Sequence, residues 1–441
     1  MKKILPRSFK IIAINLLLLA LLLEVGSIAL YFHHTGGFFY FAHQGPDTTI
    51  TPQPDNALFD EGGPTTVKRT LHPYLGFVYE EHARKRLQFS NIDYVPNNFG
   101  ILSPHDYPYK KTSDDQFIIG IFGGSVAMYY GFYELENHVL TNALKQLPYF
   151  QNKQIIVLPF ASGSYKQPQQ LLELNYFTSL GQDFDLVINI DGFNETALAY
   201  LNNKSGLDAS MPSVEMFGPL VQLANQGFST QDLALTLEIL KLKDELKETQ
   251  ASLNKCRFAI CYTFRWMQLR YLLREYQKKS EAFSSVARNM DESDSLVHVD
   301  KHKKLDDATA IPKLAELWAN SELSMNELLT AKRVPYFVVV QPNQYYSTGR
   351  KFSEAERNIA LNSSSIYAEG VGKAYPKLIA QTNELKRAGV KIINAVNVFD
   401  DTQDAVYLDS CCHYNRVGNE LFARFVAGQI VKLLETEPIS R

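Results

Sequence analysis

The feature that most constrains the fold is a short apolar run, Phe117-Ile118-Ile119-Gly120-Ile121-Phe122, closed by Gly123-Gly124-Ser125. It is entered from the polar Ser113-Asp114-Asp115-Gln116 and is too short for a core helix, so it reads as a buried strand. Two glycines let the backbone turn sharply, without Cβ clashes, and come close to a bound molecule. Ser125 then falls at the carboxyl end of a central strand and the start of a helix. There its hydroxyl faces a crevice, and unpaired backbone N–H groups can stabilise an oxyanion. An ordinary Gly-Gly-Ser loop is the plainer reading of the same residues, so the rest of the chain has to decide.

The pattern repeats. A helical stretch near 133–147 leads to the strand Gln154–Pro159, a loop containing Gly163 and a helix through Gln169–Leu180. The strand Asp185–Ile190 ends in Asp191-Gly192-Phe193-Asn194. After an interruption, a helix near 312–331 precedes the strand Tyr336–Val340, which ends in Gln341-Pro342-Asn343. A helix over 366–387 stops at Gly389 and leads to the strand Val390–Ile393. The segment Asp409-Ser410-Cys411-Cys412-His413-Tyr414-Asn415 then enters a last helix, near 416–434. Strands alternating with helices predict an α/β fold with a parallel sheet covered by helices on both faces. In such sheets working residues collect at the carboxyl ends of the strands, where Ser125, Gly163 and Asn194 all fall.

Residues 1–10 carry Lys2, Lys3, Arg7 and Lys10 and no acid, and residues 11–32 run apolar with a single charge, Glu24. That run is long enough to span a bilayer, and its basic flank places the rest of the chain outside. Ile11–Leu23 also has the length of a signal-peptide core, with Ser27-Ile28-Ala29 as a cleavage site. An uncleaved anchor is preferred because apolar residues continue through Tyr31-Phe32. Glu24 is costly in lipid and marks either a helix–helix contact or a snorkelling side chain. Residues 33–70, rich in Gly, Pro, Thr and Asp, read as a linker, with His33-His34 as an interfacial pair rather than a metal site. The globular domain is expected over 71–441; Pro73–Phe77 and Asn97–Ile101 read as turns of an edge substructure.

The stretch 200–332 is expected to be a mainly helical insertion. Leu235, Ile239, Leu242, Leu246 and Leu253 make one apolar stripe, and Arg257–Lys279 is a second helix heavy in aromatics. The pair reads as a hairpin that caps the site, self-associates or simply packs on the core. Cys256 and Cys261 flank its turn and can close a disulfide in an oxidising compartment. Residues 284–309 read as a polar loop, and His298-Val299-Asp300-Lys301-His302 is too weak a pattern for a metal site. Four cysteines in 441 residues do not build a disulfide scaffold, and a net charge of −3 argues against a nucleic-acid partner.

A serine hydroxyl needs a base, and the base needs an orienting carboxylate. Ser125 supplies the nucleophile, His413 the base, and Asp409 is near enough in sequence to hold the imidazole. The Ser125 N–H, the Gly163 N–H and the Asn194 amide make three oxyanion donors.

This order of blocks resembles the SGNH (GDSL-like) hydrolase family, named for Ser, Gly, Asn and His in chain order. Gly123-Gly124-Ser125 matches the first block and the loop around Gly163 the second. Gly192-Phe193-Asn194-Glu195 matches the third, where the family usually has Gly-x-Asn-Asp, and Asp409–His413 the last. The resemblance covers 117–200 and 336–434. It departs in the last block, where the family commonly places Asp three residues before His and this chain four, leaving Asp404 as a distant alternative acid. Cys411-Cys412 lacks a Cys-x-x-Cys partner, so metal binding or a cysteine nucleophile is set aside, and a vicinal disulfide stays open.

The resemblance implies a three-layer α/β/α sandwich, flavodoxin-like, and acyl-ester hydrolysis without metal or organic cofactor. Membrane-anchored bacterial relatives act on O-acetyl groups of envelope or exported polysaccharides. The implied protein is therefore a single-pass periplasmic-facing esterase of an acylated glycan. A sugar hydroxyl in place of water would make the same site an O-acyltransferase. A non-catalytic anchored scaffold or glycan-binding module is the competing class.

Overall fold

The computed structural model describes residues 7–35, 37–42, 69–86, 90, 92–224, 230–253, 255–286, 297–301, 303–362, 365–437 and 439. Most of the expected basic tail and linker, residues 287–296 and His302 of the expected 284–309 loop, and the His34 side chain lie outside the described residues.

Helix α1 (Arg7–Thr35) and the short α2 (Phe39–Ala42) come first. Two small antiparallel pairs follow, β1 (Arg69–His72) with β2 (Gly76–Tyr79) and β3 (Lys85–Arg86) with β4 (Asp93–Tyr94). The main sheet is formed by β5 (Gln116–Gly123), β6 (Gln154–Pro159), β7 (Leu186–Asp191), β8 (Tyr336–Val340) and β9 (Lys391–Asn394). Its order is β6-β5-β7-β8-β9 and every pair is parallel. The protein is thus α/β with a five-stranded parallel sheet. β5, β7 and β8 are buried at every position, which is why they read as continuous apolar runs rather than alternating ones.

The connecting helices are α3 (Ser125–Asn137), α4 (Val139–Leu144), α5 (Gln169–Ser179), α6 (Ala199–Lys204) and α7 (Val214–Ala224). Next come α8 (Thr230–Leu253), α9 (Ala259–Val286), α10 (Asp307–Ala331), α11 (Glu354–Ala360), α12 (Ala368–Arg387) and α13 (Arg416–Thr436). The first helix after β5 begins at Ser125, earlier than the periodicity near 133 indicated, because the buried Val126-Ala127-Met128 face carries no polar alternation. The chain leaves β5 to one side for β6 and returns to the other for β7, so the switch in strand order lies between β5 and β7. Crevices that hold ligands in parallel sheets open at such points.

The chain divides into two compact units. One comprises Asp55–Gln226 and Asp291–Arg441 and contains the sheet; the other comprises Met1–Pro54 and Gly227–Met290. Within 200–332, α6, α7 and α10 belong to the sheet unit, and α8 and α9 group with α1 and α2. In that helical unit the segment Asn15–His33 is 19 residues long with mean hydropathy 2.0, long and apolar enough to cross a membrane. Glu24 lies at a helix contact: its carboxylate accepts the Ala259 and Ile260 N–H groups at 2.7 and 2.9 Å, capping α9. Cys256 and Cys261 are joined in a disulfide at the α8–α9 turn.

Candidate active site

The end of β5 is a place only glycine fits. Gly123 has φ +133°, and a Cβ there would lie 2.4 Å from the Ile190 carbonyl oxygen. A Cβ on Gly124 would lie 2.1 Å from the Asn194 Nδ2. The turn therefore sets Ser125 at the first position of α3, beside Asn194, with the helix's first N–H groups lacking intrahelical acceptors. The end of β7 repeats this form. Gly192 has φ +134°, and Asn194 opens a π-helical turn, Asn194–Leu198.

His413 reaches the serine from the loop between β9 and α13. Its Nε2 lies 2.8 Å from the Ser125 Oγ and its Nδ1 2.5 Å from the Asp409 Oδ2. Ser125 and His413 are buried, while the Asp409 side chain keeps 28% of its surface exposed. The other Asp409 oxygen, Oδ1, accepts three backbone N–H groups of the same loop, from Cys411 (2.9 Å), Cys412 (3.1 Å) and His413 (3.3 Å). This arrangement absorbs the four-residue Asp–His spacing: one oxygen curls the loop, the other holds the imidazole. Burial pushes the Asp409 carboxyl up, but the facing imidazole and these hydrogen bonds outweigh it, and its pKa is lowered. An ionised Asp409 accepts only, so Nδ1 carries the proton and Nε2 is left to accept from the serine. The acid on the His413 Nδ1 is therefore Asp409; of Asp404, the alternative acid, the backbone carbonyl accepts from Arg350 at 2.6 Å.

Of the three expected oxyanion donors, Ser125 and Asn194 stand together and Gly163 stands differently. The Asn194 amide donates one bond to the Tyr165 carbonyl at 2.6 Å, leaving its second N–H. The Gly163 N–H donates to the Tyr79 hydroxyl at 3.2 Å, so it has another partner. The left-handed residue of that loop is Ser164, at φ +66°.

Several supporting residues carried no signal in the sequence reading. Asn343, Gln344 and Tyr345, just past β8, donate to the carbonyls of Cys411, Asp409 and Ser410 at 3.3, 3.1 and 2.6 Å, holding the Asp409–His413 loop. Their one clue was a polar run at the end of a buried strand. Tyr129 of α3 stacks on the His413 ring with centroids 4.9 Å apart.

Beneath the β7 turn lies a buried acidic network. The Asn189 amide donates to Asp191 at 2.9 Å and Glu322 at 2.7 Å, and Tyr336 donates to Glu322 at 2.5 Å. Burial and mutual repulsion raise the Asp191 pKa. Glu195 accepts the Gly192 N–H at 2.8 Å and is pushed up to about 8 by burial and by Asp191. Two carboxyls this close in a dry site cannot both ionise readily.

Cys411 and Cys412 are thiols outside any disulfide, with sulfurs 3.3 Å apart, and the Cys412 Sγ lies 3.8 Å from the His413 Nε2. Among the described residues these three side chains are grouped closely enough to hold a metal ion, their ligand atoms all within 4.8 Å of one another. His298 is exposed and pairs with Asp300 at 3.2 Å.

Comparison of the sequence with protein-family models and with curated proteins finds no match.

Proposed function

We propose that this chain is a serine-dependent acyl-ester hydrolase of the SGNH (GDSL-like) type. The observation that carries the reading is the unbroken relay Asp409–His413–Ser125 at the switch point of a parallel sheet. In the proposed reaction, the Ser125 Oγ attacks an ester carbonyl as its proton passes to the His413 Nε2. Asp409 steadies the resulting imidazolium. The carbonyl oxygen, now anionic, is met by the Ser125 N–H and the free Asn194 N–H. His413 gives its proton to the leaving alcohol, then draws one from water as the water oxygen attacks the acyl carbonyl, and returns it to the Ser125 Oγ as that C–O bond breaks and the acid leaves. Each step moves a proton between named atoms and calls on no cofactor.

The three-layer sandwich of that family is part of the proposal. Two sets of helix contacts support it: α13 with α3 and α4, and α10 with α5 and α12. Right-handed crossovers running in opposite directions from β5 put such sets on opposite faces. The apolar Asn15–His33 segment supports a single-pass anchor, and the basic Arg7 and Lys10 before it favour a cytoplasmic amino end. The Cys256–Cys261 disulfide agrees with an oxidising compartment on the far side. In a bacterium that compartment is the periplasm, where the substrate class is an acyl ester of an envelope or exported glycan.

The test is hydrolysis of an aryl acetate. Ser125→Ala lowers the rate by roughly 10⁴-fold while the variant still melts cooperatively. An undiminished rate in the folded variant would remove Ser125 from the mechanism.

A further inference from the structure

We propose that Cys411, Cys412 and His413 form an inhibitory site for a thiophilic divalent cation of the zinc and cadmium class, which binds by taking the base's own nitrogen. The inhibitory half rests on the proposed role of His413 as base; the binding half does not.

The geometry is close to what such an ion requires. With zinc–sulfur and zinc–nitrogen bonds of about 2.3 and 2.0 Å, tetrahedral ligands stand about 3.8 Å apart for two sulfurs and about 3.5 Å for sulfur and nitrogen. Here the two sulfurs are 3.3 Å apart and the Cys412 Sγ is 3.8 Å from the His413 Nε2. The tautomer is also the required one. A metal-bound imidazole nitrogen is typically oriented by a carboxylate on the other ring nitrogen, and Asp409 already holds Nδ1. Cys412 is buried beside the base, while Cys411 is partly exposed and gives an ion its approach. The Ser125 Oγ, 2.8 Å from Nε2, lies on the lone pair that the ion would take, so the ion displaces the serine hydroxyl from the base as it binds. Soft thiolates favour zinc-class ions over magnesium or calcium.

On binding, both thiols release their protons to solvent and the Nε2 lone pair goes to the metal. His413 can then no longer accept the serine proton. The absence of a Cys-x-x-Cys partner, which argues against a structural zinc site, is no obstacle to a reversible three-ligand one.

The experiment titrates the full-length protein, handled anaerobically without reductant so that Cys256–Cys261 stays closed, with Cd²⁺ alone. A cadmium–thiolate absorption band should saturate at one equivalent, vanish in C411S/C412S and reverse with chelator. Zn²⁺ should inhibit aryl acetate hydrolysis, and C411S and C412S should each need at least about tenfold more Zn²⁺ for the same inhibition, the loss typical of a missing ligand or its support. No band, a band that persists in C411S/C412S, or unchanged zinc sensitivity in a folded variant would overturn the proposal. A wild-type protein inactive before any metal is added would sink the catalytic reading, and the band alone would then decide the site.

Discussion

At the end of β5, Gly123 at φ +133° turns the chain so that Ser125 opens an α-helix; at the end of β7, Gly192 at φ +134° turns it so that Asn194 opens a π-helical turn. Position by position the two turns match, Gly123 with Gly192, Ser125 with Asn194 and Val126 with Glu195. They differ in what backs them. Behind the first are apolar side chains and a backbone carbonyl; behind the second is a carboxyl that accepts the Gly192 N–H and carries a raised pKa. The third strand end, after β6, lacks this form altogether: its left-handed residue is Ser164, and the Gly163 N–H is given to Tyr79. The shared turn is what sets a functional side chain at the carboxyl end of its strand, and the backing decides whether the turn is held by packing or by a titratable group.

The largest effect expected from breaking this symmetry is at Gly123. Its Cβ would meet a backbone carbonyl that cannot step aside, so Gly123→Ala costs about 3 kcal/mol or more, read from a denaturant midpoint. Gly192→Ala meets side chains rather than backbone, the Tyr375 hydroxyl at 2.4 Å and its Cζ at 3.0 Å, and should cost less, with Tyr375→Phe restoring part of the loss. Equal costs at the two glycines would show that the backing does not matter.

Next is Asn194→Ala, which lowers kcat about 10²-fold with little change in KM, since the amide is needed where charge develops. A change confined to KM would make Asn194 a substrate-binding residue instead.

Glu195 sharpens the comparison through pH. Its folded pKa of about 8 exceeds the ordinary 4.5, so between those values the folded protein holds a proton that the unfolded chain releases. Its stabilising contribution is complete below pH 4.5 and declines as pH rises toward 8, at a slope of at most about 1.4 kcal/mol per pH unit. Glu195→Gln should flatten that slope; an unchanged slope would assign it to Asp191 and Glu322. The smallest effect is at the third strand end: Tyr79→Phe leaves kcat within about twofold if oxyanion binding falls to Ser125 and Asn194. A severalfold change would put Gly163 among the donors.

The three strand ends also show what a sequence can reveal. β5, β7 and β8 were legible because continuous apolar runs bounded by polar turns have few other readings, and Gly123 and Gly192 marked positions where a positive φ is needed. The Asp409 loop was legible only in part. Its spacing looked irregular until one carboxylate oxygen was seen to gather three backbone N–H groups, a feature of backbone geometry that leaves no trace in residue type. Asn343, Gln344 and Tyr345 were hidden for a similar reason: they act across tertiary contacts on carbonyls, so their identity alone says nothing about their target. In the helical unit, Glu24 stood out as a charge in an apolar run, but its partner, the amino end of α9, lies more than two hundred residues away in sequence.

The central claim is that His413 activates Ser125, and covalent labelling of the full-length protein with a fluorophosphonate tests it most directly. One label per chain is expected in the wild type, at Ser125, and none in Ser125→Ala or His413→Ala. A folded wild-type protein that takes no label, or a His413→Ala variant that labels as fast as wild type, would contradict it.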